Sequence, residues 1–285
     1  MSFDSALAKQ LAKISLWVYE FADDTLIADG AVQPSTVRIQ DDRNPPTAFA
    51  GILKYPDKTV LAYQGTITDR SAAAVVDWVQ NFRIHLISSD RSGLPGKVHE
   101  GFFGQLDSIF AKVTTELAHV KHLPLYVTGH SQGGAVAALA TKRLELSGFK
   151  VTGAYTFAAP RPGDADFATG VATPVYRFEF GNDIVPHVPP VLPDFGPLGS
   201  IVKQLAAGAS ATVAAWLRLA DEAARLGYRS VGRLTYRAQG EALRSDLSAE
   251  QESALLRDRL LKLFQAGKTL GEHHHLSNYI GMFDN

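Results

Sequence analysis

Residues 125–146 run from a short apolar segment, Leu125-Tyr126-Val127-Thr128, through Gly129-His130-Ser131-Gln132-Gly133 into an alanine-rich stretch that closes before Gly148. Few folds accept such a sequence. A buried strand must turn sharply into a helix packed beside it, and side chains at the glycines flanking the serine would collide with that strand or helix. The same turn strains the serine backbone and lifts its hydroxyl clear of the sheet, so the G-x-S-x-G spacing points to a nucleophile. The bare pattern arises by chance in many chains, because glycine is a common residue, about 7% on average. The flanking strand and helix give it weight.

Around this turn the chain alternates strands and helices. An amphipathic helix opens it, and Ala48–Tyr55 and Thr59–Gln64 read as strands of a hairpin joined at Pro56-Asp57-Lys58. Val75–Val79 has helical spacing, Ser88–Gly96 reads as a loop, and Gly101–Leu117 reads as a helix. Lys150–Phe157, Pro174–Phe180 and Val231–Ala238 supply further strands. The alternation predicts an α/β fold with a mostly parallel central sheet covered by helices. Two stretches exceed a minimal sheet domain. Ile201–Leu226 is alanine-rich with a wide apolar side, and Ser248-Ala249-Glu250-Gln251 is a capping box opening a helix that carries Leu255, Leu256, Leu260, Leu263 and Phe264. One domain over 1–285, with helical insertions near 197–226 and 241–271, is the expected organisation.

Composition removes several classes of function. With 28 basic and 29 acidic residues and a net charge of −1, nothing suggests nucleic acid as a partner. The absence of cysteine excludes disulfides and thiol chemistry. The N-terminal residues carry charges at Asp4, Lys9 and Lys13 and lack a continuous apolar core, so no secretory signal peptide is expected. The uncharged run Gln204–Leu217 is 14 residues long, short of the roughly 20 that span a bilayer. Cytoplasmic residence or export by a signal-less route is the expectation. Oligomeric state has no signature here.

A serine hydroxyl is a poor nucleophile near neutral pH and needs a histidine base oriented by an acid. Behind such a turn the partners follow in the order Asp, then His. Asp183 directly follows the strand Pro174–Phe180, at the strand end where ligands bind in such sheets. Further downstream the histidines are His273, His274 and His275, and one of them is the expected base. His187, beside Asp183 and between prolines, reads as a loop residue. No metal or cofactor is required.

Six ordered motifs give the chain a resemblance to the class 3 lipases, the family of fungal triacylglycerol lipases. Tyr63-Gln64-Gly65-Thr66 is similar to its F-R-G-S/T, Asp77-Trp78-Val79-Gln80-Asn81 to N-W-I-x-D/N, and Val98-His99-Glu100-Gly101-Phe102 to V-H-x-G-F. Gly129–Gly134 resembles G-H-S-L-G-G, and Thr156–Gly163 and Asn182–Pro190 complete the series. The resemblance implies an α/β-hydrolase fold and hydrolysis of lipid or other acyl esters, with transient contact at a lipid interface; a short-chain carboxylesterase, a phospholipase A1 and a non-catalytic binding module on the same fold are the alternatives. It implies Ser131 as nucleophile, Asp183 as acid, and an oxyanion hole from Thr66 and the backbone N–H of Gln132. Relatives with histidine five residues before a tyrosine place the base on His274, paired with Tyr279; the closer fungal spacing favours His275. His99 and His130 are expected to serve packing and hydrogen bonding. Trp78 falls where fungal members carry a lid, which Ile67–Ala74 lengthens here.

Overall fold

A computed structural model of the chain describes residues 3–66, 78, 82–191, 220, 222–245, 247–266 and 271–284. The Ile67–Ala74 segment and most of the 201–226 stretch lie outside them. A seven-stranded sheet forms the centre, in the order β1 (Ser35–Gln40), β2 (Phe49–Lys54), β3 (Thr59–Tyr63), β6 (Leu125–His130), β7 (Val151–Phe157), β9 (Val175–Phe180) and β11 (Arg233–Arg237). The first three strands pair antiparallel, and every pairing from β3 to β11 is parallel. The expected β2–β3 hairpin is present. β1 was not expected, because only Ile39 of its six residues is buried and an edge strand needs little hydrophobic alternation. A small four-stranded sheet stands apart, in the order β10 (Tyr228–Arg229), β8 (Gly163–Asp164), β5 (Lys97–His99) and β4 (Leu86–Ser88). Part of the expected Ser88–Gly96 loop is a 3₁₀ turn at Asp90–Ser92, which follows β4.

Period-two alternation gives each central strand two apolar faces, as a sheet covered on both sides requires. Leu61, Tyr63 and Val127 face one core with helices α2 (Glu100–Ala118) and α3 (Gln132–Leu146). Val60 and Ala62 face the other, packed by α1 (Ser5–Glu20) through Leu11, Ile14, Trp17 and Val18. The short α4 (Ala165–Gly170) follows β8, and α5 (Ala249–Ala266) leads towards the last helix, α6 (Leu276–Gly281), which returns to α1. This is the α/β-hydrolase arrangement, with helical additions in the C-terminal third.

Local signals act where the sequence places them. The Ser248 N–H donates to Gln251 Oε1 at 2.8 Å, while the Gln251 N–H returns to Ser248 Oγ at 3.3 Å, a reciprocal capping box ahead of α5. His99 caps α2 with Nδ1, which accepts the Phe102 N–H at 3.3 Å, while its Nε2–H donates to the Arg83 carbonyl at 2.8 Å. Burial lowers its pKa to about 4, so it caps in the neutral form. No helix among the described residues is long and apolar enough to cross a membrane.

Candidate active site

Ser131 sits between β6 and α3 with φ 57° and ψ −133°, a left-handed backbone that a residue with a Cβ rarely adopts. Its neighbours explain how that strain is held. A Cβ on Gly129 would lie 2.2 Å from the Gly133 carbonyl oxygen, and one on Gly133 would lie 2.3 Å from the Tyr63 oxygen. Glycine at both positions lets α3 close onto β6 and lets the end of β3 approach the serine. Thr66, three residues past β3, thereby reaches the first turn of α3, where its hydroxyl hydrogen-bonds the Gln132 side-chain oxygen. The first N–H groups of a helix have no acceptor within it, so this end of α3 presents donors to whatever lies above Ser131.

The Ser131 hydroxyl lies 2.9 Å from His274 Nε2, and His274 Nδ1 lies 2.9 Å from Asp183 Oδ2. With Nδ1–H donating to the carboxylate, Nε2 carries the lone pair that faces the serine proton. Asp183 is fully buried and also accepts from the Tyr279 hydroxyl at 2.6 Å and the Val185 N–H at 2.9 Å. Burial alone would raise its pKa. The charge and hydrogen bond of His274, with the Tyr279 and Val185 donors, outweigh burial and hold the carboxyl below its usual range. Tyr279 is pushed the opposite way, well above an ordinary phenol, by burial and by that carboxylate.

The three consecutive histidines have three different surroundings. His273 Nδ1 accepts the Asn182 N–H at 2.7 Å and packs where a Cβ on Gly181 would stand, steadying the loop that bears Asp183. His274, in a short 3₁₀ turn, joins Ser131 to Asp183. His275 occupies the N-cap position of α6 without a capping side-chain bond, and does not enter the Ser131 chain. His130 supports His274 from beneath: its Nε2–H donates to the His274 carbonyl at 2.9 Å, and Nδ1 faces the Tyr19 hydroxyl at 3.0 Å. Burial, then the nearby His274, keeps His130 neutral well below the usual imidazole pKa.

Sequence reasoning missed a second charged cluster on the same strand. His187, read as a loop residue, is buried in a 3₁₀ turn and accepts from Arg259 Nη1, which also donates to fully buried Glu179. Arg177 completes the group, pairing with Glu179 and, at 3.1 Å, with Glu252. The only signal was the alternation of charge and aromatic rings in Tyr176-Arg177-Phe178-Glu179-Phe180. Trp78 packs edge-on against Phe82, with ring centroids 5.0 Å apart; the rest of its motif lies outside the described residues.

Residues 60–192 match the lipase (class 3) family. Over that segment, just under half of the chain, the sequence is homologous to the class 3 lipases. A secreted mono- and diacylglycerol lipase of Fusarium solani is 32% identical over 133 residues, covering 44% of this chain and 39% of that protein. A Rhizopus oryzae lipase is 38% identical over 151 residues, covering 47% of this chain and 35% of the relative. The match thus spans less than two fifths of either relative's length. In fold the likeness is longer: the crystal structure of a lipase from Rhizopus microsporus var. chinensis superposes with a TM-score of 0.63 over 95% of this chain and 85% of that one, at 18% identity. A Penicillium cyclopium structure gives 0.61, covering 90% and 92%, at 20% identity. The likeness in fold therefore extends well beyond the segment whose sequence is matched.

Proposed function

We propose that the protein is a serine ester hydrolase that cleaves acyl esters of lipids, in the manner of a triacylglycerol lipase. The observation that carries the reading is the unbroken hydrogen-bond chain from Ser131, on its strained turn, through His274 to buried Asp183. In this reading His274 Nε2 takes the Ser131 proton as Oγ attacks the acyl carbonyl. The alcohol leaves with that proton, and water then releases the acid from the acyl-enzyme with His274 as base again. Asp183 fixes the imidazole tautomer and stabilises the imidazolium without taking its proton.

Thr66 and the Gln132 N–H are the proposed oxyanion donors, stabilising the charge that develops on the carbonyl oxygen. The side chain at position 132 is free to differ from the leucine common in the family, because the backbone does this work. One matched structure is that of a triacylglycerol lipase with a serine-protease triad at its catalytic centre, which fits the same reading. The whole chain is proposed to work as one domain, with 197–226 and 241–271 as its helical insertions and a lipid surface as its transient partner.

Initial rates on p-nitrophenyl esters from butyrate to palmitate test the proposal, with Ser131→Ala as blank. The expected outcome is a rate that rises with chain length and falls on the order of a millionfold in the variant. A rate confined to short chains would make the protein a carboxylesterase. More than a few per cent of turnover remaining in Ser131→Ala would refute the mechanism.

A further inference from the structure

α1 ends at Glu20, and the last four carbonyls of a helix have no donor within it. The Phe21 N–H closes back on the Trp17 carbonyl at 2.7 Å. The carbonyls of Val18 and Tyr19 are met from another element: Gln64 Nε2 donates to both, at 3.0 and 2.8 Å. Two carbonyl acceptors fix the orientation of the amide, since only its nitrogen can donate, and both of its hydrogens are used. Gln64 is buried, so losing the amide would leave two carbonyls short of a donor.

The main chain of Gln64 is gripped as well. Its N–H donates to the Phe49 carbonyl at 3.1 Å, one step beyond the β2–β3 pairing. A Cβ on Gly133 would lie 2.8 Å from the Gln64 carbonyl carbon, and one on Gly65 would lie 2.2 Å from the Tyr19 hydroxyl and 2.8 Å from the His130 oxygen. The peptide that leads to Thr66 is thus wedged between the end of α1, the end of β6 and the first turn of α3. Thr66 itself is bonded at its far side to the Gln132 side chain. An oxyanion donor acts at about 2.7–3.1 Å from the charged oxygen, so the peptide that carries it must be fixed to a fraction of an ångström.

We propose, on the hydrolase reading above, that Gln64 is a positioning residue for the oxyanion hole: by pinning the chain to the last turn of α1 it sets the place of the Thr66 N–H. The same turn of α1 also reaches the base, since the Tyr19 hydroxyl lies 3.0 Å from His130 Nδ1 and the His130 Nε2–H donates to the His274 carbonyl. A displaced oxyanion donor and a displaced base have different signatures. The first weakens binding of a tetrahedral adduct, whereas the second moves the pH dependence.

Gln64→Met keeps length and volume but has no N–H. Kinetics on p-nitrophenyl octanoate, with inhibition by n-octylboronic acid, which forms a tetrahedral adduct with an active serine, read its effect. The expected result is a fall in kcat on the order of a hundredfold, as for a misplacement of about 1 Å, with KM within about threefold of the parent. Boronate affinity should fall in step with kcat/KM, and the pH of half-maximal kcat/KM should stay at the parental value. Gln64→Asn keeps the amide on a stem one methylene shorter and should lose about tenfold in kcat. It carries the test if circular dichroism shows that Gln64→Met does not fold. Parental kcat in the folded variant would overturn the proposal, as would a loss of kcat with parental boronate affinity or with a shifted pH profile, which would place the defect at the base. No Ser131-dependent turnover in the wild type would instead remove the hydrolase reading, and this proposal with it.

Discussion

Asp183 and Glu179 stand four residues apart, at and just beyond the end of β9, both fully buried and both with carboxyl pKa values below their usual range. Their partners differ in kind. Asp183 is held by an imidazole, a phenol and a backbone N–H, whereas Glu179 is held by two guanidinium groups beside a neutral histidine. Only the first set contains an imidazole that also faces the Ser131 hydroxyl, whereas arginine stays charged throughout. In the proposed mechanism the carboxylate held by an imidazole, a phenol and a backbone N–H stabilises the positive charge that His274 carries when it takes the Ser131 proton. The carboxylate clamped by fixed charges holds β9 against α5. Similar burial and similar pKa direction therefore support two different jobs, and the partner decides which.

Substitutions at the two carboxylates should separate the jobs. Asp183→Asn, which leaves shape but removes the charge that fixes the His274 tautomer, should lower kcat by about ten-thousandfold. Its melting temperature should stay close to that of the parent, and a large loss of stability without loss of turnover per folded molecule would break the comparison. Glu179→Gln should do the reverse, costing about 3–5 kcal/mol in urea unfolding because Arg259 is left buried and unpaired, while folded molecules keep their turnover.

The pH dependence of stability sharpens the same contrast. Because the folded pKa of Glu179 lies below its unfolded value, its contribution is complete above an unfolded pKa of about 4.3 and disappears as pH falls through the folded value. The wild type should therefore lose stability between about pH 5 and pH 3 more steeply than Glu179→Gln, by up to about 1.4 kcal/mol per pH unit. Parallel curves would show that Glu179 does not carry that charge in the fold. The smallest effect belongs to Tyr279→Phe, which removes one donor to Asp183 and should lower kcat about tenfold with little change in KM. An unchanged kcat would mean that the phenol serves packing alone.

What was legible in the sequence follows the range of the interactions. The Ser131 turn, the parallel strands and the Ser248 capping box are local, and residues within a few positions of one another specify them. Periodicity hides β1, whose outer face is solvent, and the small second sheet, whose strands are two or three residues long. Three adjacent histidines look alike in sequence. Their difference comes from Asn182, Asp183 and the start of α6, which the fold brings to them from about 90 residues away or from the next helix. The Glu179 cluster was harder still: Arg259 is 80 residues from Glu179, and alternating charge and aromatic residues ordinarily suggest a strand with one wet face. Here β9 is flanked by β7 and β11, and the charged side is buried.

The central claim is that His274, and neither neighbouring histidine, activates Ser131. Labelling with a fluorophosphonate, followed by mass mapping of the adduct and its rate of formation, tests it most directly. The account predicts one adduct per chain on Ser131, formed at the parental rate in His275→Ala and at least about a thousandfold more slowly in His274→Ala. An unlabelled wild type would contradict it, as would parental labelling in His274→Ala.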